Sequence, residues 1–260
     1  MAYFYKSKLE KDLASKVVKA SDEFNLIEDG DKIAVAFSGG KDSYTLLRML
    51  SLIKIRGNRR FDLTAVNIDA GFGGYDTDSI KEYFYENKIP HEMIFYPIKK
   101  ISGKLLKKNE KLCSFCSRIK RGVIYDYCLK EGFNKVALGH NADDVLETLL
   151  INQMFAGALR SMPPKLAADG KPITVIRPLY YIFEDETKRY ADEMNFPLVE
   201  SECPESEKDE LKRNIIKKLL NELEKDNDRV KNCLLASAGN IHARFLADPR
   251  FNKYLDNGKR

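Results

Sequence analysis

Short apolar runs alternate with segments of helical periodicity along most of this chain, and this alternation constrains the fold more than any other feature. Runs rich in β-branched and small apolar residues predict strands at 32–37, 63–68, 91–96 and 135–138, with a shorter fifth run at 175–176. Apolar residues at helical spacing predict helices at 8–25, 44–55, 79–87, 113–130, 141–155, 184–194 and 211–223. Strands that alternate with helices form a parallel sheet with right-handed crossovers. The sequence therefore predicts a three-layer α/β domain.

The composition is that of a globular protein. Of the 260 residues, 43% are hydrophobic and 32% are charged, which is sufficient for a sizeable core. The apolar runs fall short of the ~18–20 residues that a membrane span needs, and the charged first residues lack the apolar centre of a secretory signal. We therefore expect a cytoplasmic protein with no membrane association. We expect a helical segment at 1–30, the α/β domain at 31–200 and a second helical segment at 201–260.

The turn between the first predicted strand and the next helix has the composition of an anion site. Adjacent glycines let backbone N–H groups curl around an anion, and the helix N-terminus adds partial positive charge. An ordinary glycine turn with a serine cap is the alternative, and the spacing fits neither Walker A nor G-x-G-x-x-G. We expect a side chain at the first glycine to enter the site. The turn consists of Ser38, Gly39, Gly40, Lys41, Asp42 and Ser43.

A second polar cluster follows the fourth predicted strand. Gly139 and His140 come at the strand end, and Asn141 is a good helix N-cap whose following carboxylates, Asp143 and Asp144, suit the helix dipole. Capping alone could explain these residues. However, the carboxyl ends of strands are where α/β sheets bind ligands. There His140 could contact a nucleotide, and either aspartate could hold Mg²⁺ against phosphates.

The chain has five cysteines, an odd number, which favours metal binding or catalysis over a disulfide framework. Cys113 and Cys116 are separated by about one helical turn and can hold one metal, although such a pair also occurs in redox sites or by chance. Cys203, in a polar segment, is the natural third ligand. Cys128 and Cys233 have apolar neighbours and are expected to pack in the interior.

Basic residues are concentrated around this cysteine pair. The net charge is only +5, but the range 99–121 contains nine lysines and arginines against one acid, Glu110. A local patch of this kind is the electrostatic signature of nucleic-acid binding, whereas the alternative is a charged surface that only keeps the protein in solution.

The order of these motifs carries a family resemblance. The hexapeptide resembles the pyrophosphate loop of the N-type ATP pyrophosphatases, which implies a PP-loop domain with the Rossmann-like adenine nucleotide alpha hydrolase fold. Together with CSFCSRIKRG, LGHNADDVLETLLIN, MFAGALRSMPPKL, VIRPL and FPLVESEC, it resembles the tRNA 2-thiocytidine synthetase family. The resemblance extends from residue 25 to about residue 213.

The resemblance implies an ATP-dependent tRNA thiolase with a [4Fe–4S] cluster, acting on the cytidine at anticodon-loop position 32. The implied cluster ligands are Cys113, Cys116 and Cys203. The family usually has a further C-x-x-C at the third ligand, and here only Cys203 is present. Related 2-thiouridine enzymes usually carry terminal zinc-finger cysteine pairs, which this sequence lacks, so the cytidine branch is favoured.

The implied reaction is adenylation of the base followed by substitution with sulfur. ATP is expected on residues 38–43, with adenine near Phe37 and Ile68, and with further contacts from Gly139 and His140. Mg²⁺ is expected on Asp143. The candidate catalytic residues are Lys120, Asp143, Asp144, Cys113 and Cys203. The residues expected to contact tRNA are Lys104, Lys107, Lys108, Arg118 and Arg121.

Expected partners are tRNA, a sulfur donor and a second copy of the chain. Several alternatives stay open. A cysteine could carry the sulfur as a persulfide without any cluster, or the chemistry could be a lysidine-type ligation that needs no cysteine. The target could be a uridine. The protein could also be a zinc-containing nucleotide- and RNA-binding protein without thiolase activity.

Overall fold

The computed structural model describes residues 5–57, 59–106, 112–199 and 211–250, and these contain a six-stranded sheet. The strand order is β3-β2-β1-β4-β6-β5. All neighbouring strands are parallel except β5, which pairs antiparallel with β6 at one edge. The predicted α/β fold is therefore confirmed. The strands are β1 (Lys32–Phe37), β2 (Asp62–Asp69), β3 (His91–Phe95), β4 (Lys135–Ala137), β5 (Lys165–Ala167) and β6 (Thr174–Ile176).

The helices predicted from the periodicity are present in the structure. Within the described residues, one strand and two α-helices were not predicted. These are the strand β5 and the helices α4 and α9. None of the helices in the described part of the chain is long and apolar enough to span a bilayer. The helices are α1 (Lys8–Glu23), α2 (Lys41–Arg56), α3 (Thr77–Glu86), α4 (Ile98–Leu105), α5 (Leu112–Glu131), α6 (Ala142–Ala156), α7 (Glu184–Met194), α8 (Leu211–Asp226) and α9 (Val230–Ser237).

The two faces of the sheet pack against different helices. The ring of Phe37 on β1 lies 4.7 Å from Tyr44 of α2 and 4.9 Å from Phe84 of α3. Ala34 of the same strand belongs instead to a buried cluster with Ile124 of α5. Successive strand residues point to opposite faces, so α2 and α3 cover one face and α5 covers the other. This arrangement gives the three predicted layers.

The chain divides into two compact units. The first is Met1–Val145 with Met162–Lys212 and contains the sheet; the second is Leu146–Ser161 with Arg213–Arg260. In the second unit, Ile216 and Leu220 are buried, and Lys231 pairs with Glu224 at 2.8 Å. The division predicted from the sequence, at residues 30 and 200, stays a prediction.

The two cysteines expected to pack in the interior have different environments. Cys128 is fully buried in the cluster under α5, as expected, and burial raises the pKa of its thiol to about 12. Cys233 on α9 is exposed, so its predicted burial is wrong. Its neighbour Leu235 is the buried residue of that helix. The apolar side chains around Cys233 in the sequence therefore do not enclose the thiol.

A buried ion pair ties β1 to β4 at the edge where these strands begin. Lys135 Nζ lies 2.7 Å from Asp31 Oδ2, and both side chains are 5% exposed. Asp31 also accepts hydrogen bonds from the Glu28 N–H at 2.6 Å and from Asn134 Nδ2 at 2.8 Å. Burial alone would raise the pKa of Asp31, but the hydrogen bonds from Lys135, Glu28 and Asn134 outweigh burial and hold that pKa below its usual value.

We expect Asp31→Asn to lower the free energy of unfolding by roughly 3 kcal/mol at pH 7, because the charge of the buried Lys135 is then balanced only by the exposed carboxylate of Glu28, beside a neutral hydrogen bond to the Leu26 carbonyl. The matched control is Asp62→Asn at the exposed Lys54–Asp62 pair, which should cost less than about 1 kcal/mol. Since the folded pKa of Asp31 is depressed, its contribution is complete above the unfolded pKa of about 4 and is lost as the pH falls through the folded value. Urea titrations from pH 7 to pH 3 measure both effects; equal losses in the two variants would contradict the role of burial.

Candidate functional site

The predicted anion turn lies between β1 and α2, at the edge of the sheet where the parallel strands end, which we call the carboxyl edge. Gly39 has a positive φ of +80°, and Gly40 is the N-cap of α2 and adds no side-chain cap. Ser43 Oγ donates to the Gly40 carbonyl at 2.8 Å and lies 3.4 Å from Ser38 Oγ. A helix N-terminus that lacks a side-chain cap presents N–H donors, so this phosphate loop (residues 38–43) can bind an anion.

A side chain at Gly39 would point away from the anion site, so the prediction that it would enter the site is wrong. A Cβ on Gly39 would lie 3.1 Å from Val199 Cβ and 3.2 Å from Ile80 Cδ1, so a side chain there would press on neighbouring protein instead of entering the anion site. The Val199 N–H donates to the Gly39 carbonyl at 3.0 Å. A Cβ on Gly40 would meet only Ser38 Oγ, at 3.6 Å. The open side of the loop is therefore at Gly40.

Two polar side chains hold the end of β1, and neither was predicted from the sequence. Asn67, fully buried on β2, donates from Nδ2 to the Phe37 carbonyl at 3.0 Å and to Tyr75 Oη at 2.5 Å. Tyr75 Oη in turn donates to the Ser38 carbonyl at 3.0 Å. These bonds fix the peptide groups that enter the phosphate loop.

Lys41 is held beside the loop by two carboxylates. Its Nζ lies 3.0 Å from Asp42 Oδ2 and 3.2 Å from Glu184 Oε1. Burial alone would lower the pKa of Lys41, but the two carboxylates outweigh burial and raise it, so the ammonium group is charged at neutral pH. Thr187 Oγ1 donates to Asp42 Oδ1 at 2.6 Å. Glu184 and Thr187 come from α7 and were also missed.

The second predicted cluster meets the phosphate loop through backbone contact. A Cβ on Gly139 would lie 3.3 Å from the carbonyl carbon of Asp42, so glycine lets this turn approach the first turn of α2. Asn141 Nδ2 donates to Asp42 Oδ1 at 3.3 Å. His140 is half-buried at the strand exit. The structure thus brings residues 139–144 together with residues 38–43.

Both aspartates of this cluster make helix-cap hydrogen bonds. Asp144 Oδ2 accepts from the Asn141 N–H at 3.1 Å, and Asn141 Oδ1 accepts from the Asp144 N–H at 3.1 Å, a reciprocal capping box. Asp143 Oδ2 accepts from the Glu184 N–H at 2.6 Å, at the start of α7. Capping therefore accounts for one oxygen of each carboxylate. A catalytic or Mg²⁺-binding role for Asp143 and Asp144 stays a prediction.

The side chains predicted to lie near adenine face the core. Phe37 is 3% exposed and packs among aromatic rings, and Ile68 is 6% exposed in the cluster under α5. Contact between these two residues and a nucleotide therefore requires their backbone atoms at the strand ends.

The cysteine pair lies in the first turn of α5. Cys113 and Cys116 are half-buried, and Cys116 packs against a cluster of Ala70, Ile98 and Phe115. Ala70 directly follows β2, so the cysteine turn lies at the carboxyl edge, as the phosphate loop does. Among the described residues there is no group of three or more histidine, cysteine or acidic side chains that could hold a metal ion. Cys203 lies outside the described residues.

The basic residues divide between two helices. Lys104 is exposed on α4, Arg118 and Arg121 are exposed on α5, and Lys120 is half-buried one turn after Cys116. Residues four apart on a helix share a face, so Lys120 lies on the side of Cys116. Lys107 and Lys108 lie outside the described residues.

Comparison with known proteins identifies the family. A PP-loop domain model matches residues 8–223. The tRNA-cytidine(32) 2-sulfurtransferase of Geobacter sulfurreducens is 44% identical over 246 residues, which is 95% of this chain and 96% of that protein. The Coxiella burnetii protein of the same name is 39% identical over 241 residues, covering 93% and 94% of the two chains. The chain belongs to the PP-loop family of tRNA-cytidine(32) 2-sulfurtransferases.

A solved structure agrees with this family assignment. The U34-tRNA thiolase NcsA from Methanococcus maripaludis, with its [4Fe–4S] cluster, is 25% identical and superposes with a TM-score of 0.71. The match covers 89% of this chain and 78% of that one. The resemblance predicted from the sequence motifs is confirmed.

We expect Gly40→Val to raise the dissociation constant for ATP at least roughly tenfold with little change in melting temperature, because its side chain enters open space over the loop. Gly39→Ala is the matched control. It should lower stability by about 1–2 kcal/mol, since its φ is in the left-handed region. Calorimetric titration of ATP and thermal unfolding separate the effects. Normal ATP affinity in a folded Gly40→Val protein would remove this face of the loop from the nucleotide site.

Proposed function

We propose that this protein is an ATP-dependent tRNA thiolase that forms 2-thiocytidine at position 32. The observation that carries the proposal is the convergence of the phosphate loop and the Cys113–Cys116 turn at one edge of the sheet. The names of the sulfurtransferase relatives support the reaction and the target base. The U34 thiolase is the less similar protein, at 25% identity against 44%, so cytidine is favoured over uridine.

The proposed reaction has two steps. The 2-carbonyl oxygen of the base attacks the α-phosphorus of ATP, and pyrophosphate leaves. A sulfur nucleophile then attacks carbon 2, and AMP leaves with the former carbonyl oxygen. The N–H groups of the phosphate loop and the charged Lys41 stabilise the negative charge on the phosphates in the first step. Lys120, one turn after Cys116, neutralises part of the same negative charge on the phosphates.

The donor set of this chain fits an iron–sulfur cluster. Thiolates are the usual ligands of such clusters, and Cys113 and Cys116 are half-buried in one helical turn. Cys203 follows Val199 by four residues, which span at most about 14 Å. Val199 is hydrogen-bonded to Gly39, so the chain length keeps Cys203 within reach of the carboxyl edge. When bound, a [4Fe–4S] cluster on three cysteines supplies an iron that has no protein ligand and can bind sulfur.

Mg²⁺ fits the acidic residues beside the loop. It prefers carboxylate oxygens and phosphates, and Asp143 lies at the N-terminus of α6, next to the residues that contact Asp42. We propose that Asp143 holds Mg²⁺ against the phosphates of ATP. Its hydrogen bond to the Glu184 N–H would then couple the position of the metal ligand to α7.

We propose that sulfur comes from a separate donor and that the protein acts as a cytoplasmic homodimer. An exposed apolar stripe on α8 supports self-association, since leucine and isoleucine side chains at i, i+4 spacing form a contiguous patch. The stripe consists of Leu211, Ile215, Leu219 and Leu223.

We expect Cys113→Ala, Cys116→Ala and Cys203→Ala each to abolish thiolation and to lower the iron content of anaerobically purified protein, since two thiolates cannot hold the cluster. Cys128→Ala and Cys233→Ala are matched controls that should keep both properties. Iron and acid-labile sulfide assays, with visible absorption spectra, measure the outcome. Full iron content with no activity in Cys203→Ala would instead favour a persulfide on Cys203, and zinc in place of iron would contradict the cluster.

We expect the triple variant of Lys104, Lys107 and Lys108 to glutamine to weaken tRNA binding and to lower the salt dependence by roughly 0.7–0.9 log units for each tRNA phosphate that these lysines neutralise. ATP affinity and iron content should not change, because neither depends on these side chains. A triple glutamine variant of the exposed Lys188, Lys218 and Lys225 is the control for net charge. Filter binding at several salt concentrations measures the slope. Equal slopes in the two triple variants would show that tRNA binds to another surface. The next candidates would then be Lys6, Lys8, Lys11 and Lys16.

A further inference from the structure

Arg177 is a buried cation at the carboxyl edge. No function was predicted for this residue from the sequence. It directly follows β6, next to the strand β4 that leads into residues 139–144, and it is only 7% exposed. A charged residue that ends an apolar strand is unusual, since a buried charge costs free energy unless it is paired.

The pairing of Arg177 differs from that of Lys135, which is buried, and of Arg48, whose side chain is 10% exposed. Lys135 pairs with Asp31 at 2.7 Å, and Arg48 pairs with Glu10 at 3.0 Å. Arg177 donates from Nη1 to the Pro163 carbonyl at 2.6 Å, and its buried Nε has no partner among the described residues. Within the same residues, no carboxylate forms an ion pair with it. One hydrogen bond to a neutral carbonyl leaves most of this charge uncompensated.

The surroundings of Arg177 favour an anion. Burial lowers the pKa of Arg177; Tyr125 opposes this shift, whereas the positive charge of Arg121 adds to it. Tyr125 and Arg121 are one turn apart on α5, and Arg121 is exposed. The guanidinium group stays protonated at any physiological pH. Arg121 is therefore close enough for its charge to act on Arg177, which is buried at the carboxyl edge, and Arg121 itself is exposed on α5.

We infer that Arg177 and Arg121 together bind a backbone phosphate of the tRNA, with Arg177 at the base of the site. A guanidinium fork matches phosphate oxygens in geometry, and the bound phosphate would supply the missing counter-charge. Arg121 extends the site to the exposed basic face of α5, as a polynucleotide requires. The phosphates of ATP have their own loop at β1, and β4 separates β1 from β6. The inference rests on the proposed function, because it assigns the phosphate to tRNA.

The competing role for Arg177 is a structural brace. Its backbone N–H donates to the Pro164 carbonyl at 2.8 Å, and its side chain binds the Pro163 carbonyl, so it could simply hold the start of β5. The two roles predict opposite effects on stability. Removing a brace destabilises the protein, whereas removing an uncompensated buried charge does not. Pro163 is exposed, so water can solvate its carbonyl once the guanidinium is absent.

The test compares Arg177→Met, which keeps the apolar volume, with Arg177→Lys, which keeps the charge. The exposed Arg189→Met on α7 is the control. We expect Arg177→Met to have an unchanged or higher melting temperature without tRNA and roughly tenfold or more weaker tRNA binding. Its salt slope should fall by roughly 0.7–0.9 log units, Arg177→Lys should retain most of the slope, and ATP affinity should stay at the wild-type value in both.

Two results would overturn the inference. A lower melting temperature with wild-type tRNA affinity and slope in Arg177→Met would establish the brace. Weaker ATP binding with unchanged tRNA binding would assign the phosphate to the nucleotide. Failure of the proposed function is distinguishable from both, because the wild-type protein would then bind no tRNA or transfer no sulfur to it.

Discussion

The site depends on how the backbone of Ser38 and Gly39 is held. Gly39 has a left-handed conformation that other residues rarely adopt, and its carbonyl accepts the Val199 N–H, while the Ser38 carbonyl accepts Tyr75 Oη. In a trans peptide the carbonyl and the N–H of the next residue point in opposite directions, so binding both carbonyls to protein on one side turns the N–H groups of Gly39 and Gly40 to the other side. A preorganised set of donors binds phosphate without having to be reordered on binding.

The same two hydrogen bonds connect elements that are distant in sequence. Tyr75 ends a glycine-rich loop after β2, and Val199 lies in the segment that leads to Cys203. A displacement of the phosphate loop would therefore displace Val199, which lies four residues before Cys203. The hydrogen bond between Val199 and Gly39 thus connects the phosphate loop directly to a residue that lies shortly before Cys203, the proposed cluster ligand, although the loop and Val199 are far apart in the sequence.

The sequence predicted the strands well where apolar residues form long runs, and it failed where short elements depend on tertiary partners. Helix α4 was missed because its lysines and Gly103 interrupt the apolar periodicity, and Ile98 is its one buried residue. Strand β5 has three residues and exists because it pairs with β6. On α8, only Ile216 and Leu220 of the predicted apolar face are buried. Periodicity indicates which residues share a face, but it does not indicate how much of that face is covered.

The loop residues of the site were found because they are contiguous, and the residues that support them were missed because they are not. Glu184 and Thr187 reach Lys41 and Asp42 only through the packing of α7 against α2. Asn67 did leave a signal, since it is an amide inside the apolar run of β2.

Arg177 left a signal of the same kind, as a cation after the apolar run of β6. A polar residue in a strand that should be buried must find a partner. For Asn67 the Nδ2 partners are the carbonyl of Phe37 and the hydroxyl of Tyr75, both within the protein. For Arg177 the protein supplies one carbonyl, and the rest of the charge is left for a ligand to balance. Asn67 Oδ1 also lacks a partner among the described residues, so what distinguishes Arg177 is its formal positive charge, which one neutral carbonyl does not balance.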